Sequence, residues 1–252
     1  MQLSWSELLS EINDLFIKIT RNKIFKKEKD DFLSHVQQCL KLNKKEDWNY
    51  ILASEDILED SSEAISNFLR FGISGPTKYN DLGEKYLRLY GMLNATYLQQ
   101  QAMCNLYKFF QCQDLRKKKE QIDTLQIVSI RHKLGAHSAN YKDPETSEMH
   151  VFVPVRIELN DFECSYFNHY NDKYETVELK SAIQNHLELM CSTYVEVAKK
   201  MILTIYKSNG SKCNELIERV APFERMLNGC GLMKNQQTGE FVVIEYVPAN
   251  KI

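Results

Sequence analysis

The sequence predicts a mainly α protein, a helical bundle with a small β insertion and hairpins. Long segments carry apolar residues at i, i+3, i+4 and i+7, the pattern of a helix with one buried face, and the longest cover residues 79–112 and 176–207. Short strand-like stretches bounded by turn residues lie near residues 150–167 and 231–247. Helices are therefore expected to supply the core, and the strands a smaller addition.

Composition limits the classes of function. The 252 residues are 43% hydrophobic and 26% charged, which is ordinary for a globular protein with a buried core. The formal net charge is −2. A charge so close to zero excludes nucleic-acid binding through an overall basic field, so any such site has to be a local patch.

Cysteine usage and the N-terminus bear on the compartment. The seven cysteines are scattered and form no close CxxC pair, which is typical of reduced thiols in a cytosolic protein. The N-terminus MQLSWSELLSEINDLF lacks a basic segment followed by an apolar one. No apolar run approaches the ~18 residues of a membrane span. We therefore expect a cytoplasmic protein without a membrane partner.

The first helices are predicted from capping and periodicity. Ser4 and Glu7 form a capping-box pattern ahead of an apolar stripe that reaches Ile19. A second helix is predicted around residues 32–40, and a third around residues 57–69, ended by the GISGP turn at residues 72–76.

Two long helices are predicted next. One covers residues 79–112, where the small residues Gly91 and Ala95 indicate a close helix crossing. The other covers residues 114–136, and the short link between them predicts an antiparallel hairpin.

The pattern changes after residue 142. Two strands are predicted within residues 150–167, with a turn near Asn160 and Asp161, and Pro154 restricts the first strand to a sheet edge. Helices are predicted at residues 176–207 and 211–228, followed by a hairpin with Thr238 and Gly239 in its turn. We expect one domain over residues 1–252: a helical hairpin at 79–141, then a β elaboration and C-terminal helices at 142–252. A boundary, if there is one, lies near residue 142.

The segment RHKLGAHSANY, residues 131–141, gathers titratable side chains at the end of an apolar helix. Arg131 and His137 lie six positions apart, which in a regular helix places them about 120° off a common face. Gly135 readily allows a bend or an end to the helix, so His137 can turn toward the long Arg131 side chain.

These residue types suit the cleavage of RNA without a metal. A histidine with a pKa of ~6.5 can take a proton from a 2′-hydroxyl or give one to a leaving 5′-oxygen. An arginine can hold phosphate oxygens through two parallel hydrogen bonds and stabilise the charge that builds on them.

The segment from Arg131 to His137 resembles the signature of the HEPN superfamily. That signature is an arginine, often followed by a polar residue, and then a histidine after a short gap. Here His132 occupies the polar position and the gap is five residues. The resemblance covers residues 79–141, and the segment around Tyr90 to Gln100 is similar to helices of abortive-infection-type members.

The resemblance implies an HEPN-like helical bundle and a metal-independent endoribonuclease in prokaryotic defence or a toxin–antitoxin system. It implies a homodimer, and an antitoxin or other defence-system protein is a further expected partner. Arg131 and His137 would be catalytic, with His132 supporting them. Lys133 and Ser138 would contact RNA. Independently of the resemblance, the charge of the basic stretch at residues 116–120 suits contact of Arg116 and Lys117 with an RNA backbone, although such a stretch is more often a solvated helix start.

Other interpretations stay open. Cationic side chains at a helix C-terminus also complement the helix dipole and cap carbonyls. HEPN-like bundles can serve as non-catalytic dimerisation or adaptor modules that bind a protein or RNA. Aromatic residues near the strands could stack bases, although they are more often core residues: Tyr141, Tyr166, Phe167 and Tyr170.

No metal or cofactor is expected. A zinc set can be assembled from four dispersed residues, but they lack the paired-ligand spacing of zinc sites: His132, His137, His150 and Cys164.

Overall fold

The computed structural model describes residues 3–25, 31–77, 80–136, 138–143, 146–235 and 237–244. Over these ranges the chain is mainly α with small antiparallel sheets, as predicted. The helices found there are α1 (Trp5–Ile24), α2 (Phe32–Leu40), α3 (Asp47–Phe71), α4 (Leu82–Phe109), α5 (Leu115–Asp123), α6 (Gln126–Arg131), α7 (Leu179–Ile205) and α8 (Gly210–Leu227). A wide π-helical turn, His132–Ala136, directly follows α6.

The strands are short. They are β1 (Tyr141–Lys142), β2 (Met149–His150), β3 (Phe152–Asn160), β4 (Glu163–Asn168), β5 (Lys173–Glu178), β6 (Gly231–Lys234) and β7 (Phe241–Ile244). Among the described residues, no helix has the length and apolar composition needed to cross a bilayer.

The chain divides into two compact units. Unit 1 contains residues 1–59, 102–115 and 187–252, and unit 2 contains residues 60–101 and 116–186. Helices α3, α4 and α7 have residues in both units. The single domain expected over residues 1–252 stays a prediction.

In unit 1, helix α1 begins where the capping box predicts. The Ser4 hydroxyl accepts a hydrogen bond from the Glu7 N–H (3.3 Å), and the Glu7 carboxylate accepts one from the Ser4 N–H (2.7 Å). The apolar face of the helix is buried, and the Phe16 ring lies 5.3 Å from that of Phe110 and 5.2 Å from that of Tyr194. The predicted first helix is confirmed.

Helix α3 begins well before the predicted start near residue 57. The Asp47 carboxylate accepts the Lys44 N–H (3.0 Å) at its beginning, and Trp48 is almost fully buried in its first turn. The polar residues Ser54 and Glu55 are also buried. Because polar side chains occupy inward positions, the apolar periodicity of this part of the helix is interrupted in the sequence.

In unit 2, the helix predicted over residues 114–136 is wrong as one continuous element. Helix α5 ends at Asp123, and Leu125 is extended, with φ −66° and ψ 135°, before α6 begins. At the break the Thr124 hydroxyl donates to the carbonyl of Gln121 (2.7 Å). Such local side-chain bonds compete with the helical ladder.

The close crossing expected at Gly91 is also wrong. Apart from its chain neighbours and the backbone of its own helix, no described residue has an atom within 4 Å of where a Gly91 Cβ would be, whereas Ala95 is buried as expected. Gly91 therefore borders open space on α4.

The three-stranded sheet has the order β3-β4-β5, all antiparallel. Pro154 lies on β3, an edge strand, and the β3–β4 turn contains Asp161, as predicted. Strand β5 was not predicted, because residues 176–178 were assigned to the helix that follows. The Glu178 carboxylate accepts the N–H groups of Lys180 (2.9 Å) and Ser181 (2.6 Å), so α7 begins only at Leu179.

Gly72 fixes the end of α3 against this sheet. It has φ +66°, and a Cβ there would lie 2.7 Å from the carbonyl oxygen of Asp161. The neighbouring Ile73 N–H donates to that same oxygen (2.7 Å). Only glycine combines this backbone conformation with this close approach.

A buried polar network lies in the helical part of unit 2. His186 on α7 is fully buried, and its Nε2 donates to the Gln99 side-chain oxygen (2.9 Å). The Gln99 amide nitrogen donates to the Ser62 hydroxyl (3.0 Å). Burial lowers the pKa of His186 to about 3, so the ring is neutral at physiological pH.

The C-terminal elements of unit 1 agree with the prediction. Strands β6 and β7 pair from Gly231 with Ile244 to Lys234 with Phe241, and Gly239 in the turn has φ +73°. The Leu3 N–H donates to the Leu232 carbonyl (2.9 Å). This bond ties the residues before α1 to β6.

A buried carboxyl in unit 1 makes stability depend on pH. Glu55 is 1% exposed and pairs with Arg21 (3.0 Å), whose guanidinium lies 5.0 Å from the Trp48 ring centroid. Its Oε1 is buried without a hydrogen-bond partner among the described residues. Burial raises the pKa of Glu55 from 4.5 to about 7, and Arg21 offsets only part of this effect.

We expect the free energy of unfolding to fall as pH rises from about 4.5 to 7, since the folded state holds the Glu55 proton more tightly than the unfolded state. The total effect is on the order of 3 kcal/mol. Glu55→Gln, which imitates the protonated form, should remove this slope and be more stable than the native chain at pH 8. Urea unfolding between pH 5 and 8 measures the free energy of unfolding of both chains, and Glu59→Gln, which changes an exposed residue of the same helix, is the control. An unchanged slope in Glu55→Gln would contradict the assignment.

Candidate functional site

Arg131 ends α6 and stacks on an aromatic ring of α4. Its guanidinium carbon lies 3.7 Å from the ring centroid of Tyr97. No hydrogen bond or ion pair joins this guanidinium to another described residue. One face of the group is thus held by the ring, while its N–H edges stay available to an anion.

The helix type changes directly after Arg131, the last residue of α6. The π turn His132–Ala136 replaces the regular helix, as expected from the glycine in the motif. A Cβ at Gly135 would lie 3.5 Å from Leu93 and 3.8 Å from the Arg131 Cγ. Gly135 thus lies against the same helix that carries Tyr97.

Lys133 in the π turn binds the three-stranded sheet. Its Nζ donates to the Glu175 carboxylate (3.0 Å) and to the Tyr166 hydroxyl (3.0 Å). The Tyr166 hydroxyl donates to the same carboxylate (2.5 Å), and the ammonium lies 5.2 Å from the Phe152 ring centroid. Lys133 is therefore engaged within the protein.

The pKa shifts follow from this network. Burial, and then the bond to Glu175, raise the pKa of Tyr166 far above its ordinary value. Burial acts to raise the pKa of Glu175, but the bonds from Tyr166 and Lys133 outweigh it, and the pKa is lowered. The Glu175 carboxylate is thus ionised at neutral pH, and the Tyr166 hydroxyl stays protonated.

The remaining motif residues are placed unequally. His132 begins the π turn and is half-buried. His137 lies outside the described residues, so its convergence with Arg131 stays a prediction. The carbonyl of Ser138 accepts the Phe152 N–H (2.7 Å), which attaches the end of the motif to β3.

A histidine that sequence reasoning did not select, His150, lies beside the motif segment. Its ring stacks on Tyr170 with centroids 4.4 Å apart, and β2 pairs it with Tyr141 of β1. The Tyr170 N–H donates to the Asn168 side-chain oxygen (3.0 Å), which leaves the Asn168 amide nitrogen to donate to His150 Nδ1 (3.2 Å). The neutral ring therefore carries its proton on Nε2, which is buried and has no hydrogen-bond partner in the described part of the chain.

The basic stretch lies on α5, apart from the motif in the chain. Arg116 is largely exposed and pairs with Glu120 one turn later (3.0 Å), and Lys117 is exposed. Because α5 and α6 are separate helices, a spacing along one helix axis no longer relates this stretch to Arg131.

The aromatic residues divide between core and surface. Tyr166 is buried and Tyr141 half-buried, whereas Tyr170 is exposed.

Burial raises the pKa of the Cys164 thiol to about 12, so the residue is a protonated core thiol. Within the described ranges, no group of three or more His, Cys, Asp or Glu side chains is arranged to hold a metal ion.

The tertiary structure adds residues that no motif indicated. Tyr97 supports Arg131, Glu175 and Tyr166 hold Lys133, and Asn168 orients His150. Each lies far from its partner along the chain, so no spacing rule would have found it.

Comparison with protein-family models, curated proteins and solved structures finds no match for this chain. The HEPN resemblance therefore rests on the motif residues themselves.

We expect Lys133→Met to lower the free energy of unfolding by about 1–3 kcal/mol, because it leaves the Glu175 carboxylate and the Tyr166 hydroxyl without their shared donor. Exposed Lys142→Met should be near neutral. Combining Lys133→Met with Glu175→Gln should cost less than the sum of the two single changes. Chemical unfolding of the native chain, the two single variants and the double variant measures the coupling, and strict additivity would contradict an interaction between Lys133 and Glu175 that stabilises the fold.

Proposed function

We propose that the chain is a metal-independent endoribonuclease of the HEPN type that cleaves RNA phosphodiesters. The observation that carries the proposal is the Arg131 guanidinium, which lies 3.7 Å from the Tyr97 ring centroid and whose N–H groups have no hydrogen-bond or ion-pair partner among the described residues. A guanidinium held in this way is preorganised for a phosphate, since it does not have to break an ion pair before it binds.

In the proposed reaction, a 2′-hydroxyl attacks the adjacent phosphorus and the 5′-oxygen leaves. His137 takes the proton of the 2′-hydroxyl or gives a proton to the 5′-oxygen. Arg131 hydrogen-bonds the non-bridging oxygens, on which negative charge builds. His132 supports the two groups from the start of the π turn.

RNA contacts outside the reaction centre come from the other predicted residues. Ser138 lies directly after the catalytic histidine, and Arg116 and Lys117 contact the phosphate backbone from exposed positions on α5. The Lys133 ammonium contributes less to RNA binding than a free lysine would, because it is paired with the Glu175 carboxylate. The net charge of −2 favours selective capture of RNA over indiscriminate binding.

A homodimer is part of the proposal. The outer face of α4 carries Leu87, 73% exposed, together with half-exposed Tyr90 and Leu98, around the open surface at Gly91. These residues recur at helical spacing and form one apolar stripe in unit 2. A second copy of the stripe is its proposed partner, and Tyr97, which supports Arg131, lies on the same helix.

The proposed setting follows the resemblance. The protein acts in the cytoplasm in prokaryotic defence or as a toxin, with an antitoxin or another defence-system protein as partner.

The second candidate function is a non-catalytic HEPN-like dimerisation or adaptor protein. The engagement of Lys133 with Glu175 favours it, because a motif cation that stabilises the fold needs no substrate. The two candidates differ in one observable, the cutting of RNA by the purified protein.

We expect the purified chain to cleave single-stranded RNA in EDTA, and His137→Ala to lower the rate by at least ~100-fold. Arg131→Lys keeps the positive charge but loses the planar guanidinium and its stacking on Tyr97, so its cleavage rate should also fall about 100-fold. Gel analysis of a labelled RNA measures the rates.

The matched control is His169→Ala, which removes an exposed histidine of unit 2 and should cut like the native chain. Full cutting by His137→Ala would exclude that residue as the proton-transfer group. Absence of cutting by the native chain, with RNA binding retained, would favour the adaptor.

For the dimer, we expect Leu87→Glu to convert a homodimer to a monomer, because a buried unpaired carboxylate would oppose association. Sedimentation velocity measures the mass, with exposed Lys117→Glu as a control for added negative charge. A dimer that persists in Leu87→Glu would remove the α4 stripe as the interface.

A further inference from the structure

Unit 1 contains a cleft that the proposed nuclease chemistry does not use. It has a volume of about 570 Å³ and lies between α1, α8 and the β6–β7 hairpin. This size falls in the range of sites for small organic ligands. Its walls combine apolar surface with charged side chains.

The accessible apolar surface comes mainly from two half-buried, rigid groups, Pro222 and Phe241. The ring of Phe241 is held edge to face by that of Phe223 with centroids 5.1 Å apart, and Phe223 and Leu15 line the cleft from buried positions. Aromatic rings and a proline ring lose little conformational freedom when a flat apolar body packs against them.

The cleft is lined by equal numbers of acidic and basic side chains, but not all of them form ion pairs. The three acidic residues are Glu11, Asp14 and Glu240, and the three basic residues are Lys18, Arg219 and Lys234. Lys234 pairs with Glu11, and Lys18 lies 3.8 Å from Asp14. Glu240 accepts a weak hydrogen bond from the Thr238 hydroxyl (3.4 Å).

Arg219 is the third basic residue of the cleft, and it differs from Lys18 and Lys234 in its lack of an ion-pair partner among the described residues. It is exposed on α8, and no hydrogen bond or ion pair joins it to another residue of the described chain. Its planar fork suits a carboxylate. The Lys18–Asp14 pair is exposed on both sides and contributes little, so Lys18 can turn toward a bound anion as well.

We propose that this cleft binds a small aromatic monocarboxylate, with the carboxylate on Arg219 and the flat body against Phe241 and Pro222. A single negative charge fits because the walls are neutral in sum and Arg219 is the one cation of the cleft without an ion-pair partner among the described residues. This site is independent of the proposed RNA cleavage, since all its residues belong to unit 1.

The test is calorimetric titration of the full chain with benzoate, 3-phenylpropanoate and indole-3-acetate, each paired with its neutral carboxamide. At least one carboxylate should bind saturably at one site, and its carboxamide at least tenfold more weakly. Arg219→Gln should weaken the carboxylate at least tenfold and leave the carboxamide unchanged.

Arg225→Gln is the matched control, an exposed arginine on the same helix outside the cleft, and should bind like the native chain. Phe241→Ala should weaken acid and amide alike, and circular dichroism checks that each variant is folded. The proposal is overturned if no carboxylate saturates the native chain, or if Arg219→Gln and the native chain bind it equally. RNA cleavage is measured separately, so its failure leaves this result intact.

Discussion

The bond between Lys133 and Glu175 is the constraint on which the candidate site depends. The π turn has i→i+5 backbone bonds in place of the α-helical ladder, and Lys133 attaches it to β5 through the Glu175 carboxylate and to β4 through the Tyr166 hydroxyl. The Ser138 carbonyl attaches the next residues to β3. All three strands of the sheet thus hold the motif segment, so the small sheet acts as the support of the site.

Partial burial favours one arrangement of this network. The Tyr166 ring is buried and the Lys133 and Glu175 side chains are half-buried, and each of the three polar groups is hydrogen-bonded to the other two. Arg131 is held differently: its guanidinium lies 3.7 Å from the Tyr97 ring centroid, and its N–H groups have no hydrogen-bond or ion-pair partner in the part of the chain that the structure describes. Two cations of one motif are therefore bound in different ways, which their charges alone do not reveal.

Each unit also carries a polar group deep inside its helices, with opposite consequences. His186 is satisfied by Gln99 and stays neutral, so it specifies packing and has no charge to gain at physiological pH. Glu55 is paired on one oxygen only, and its pKa of about 7 makes the stability of unit 1 sensitive to pH in that range. Desolvation favours the neutral form of both groups, and the pKa of Glu55 stays near 7 because the charge of Arg21 offsets part of that effect.

The sequence by itself determined the elements that local interactions specify. The capping box of Ser4 and Glu7, the stripes of α1, α4 and α7, and the β6–β7 turn act over a few residues and were predicted correctly. Only the tertiary structure decided that β5 is a strand, that residues 114–136 break at Leu125, and that Lys133 is held by Tyr166 and Glu175, 33 and 42 positions away. Periodicity and capping report energies between near neighbours, whereas stacking and burial join groups that meet only when the chain has folded.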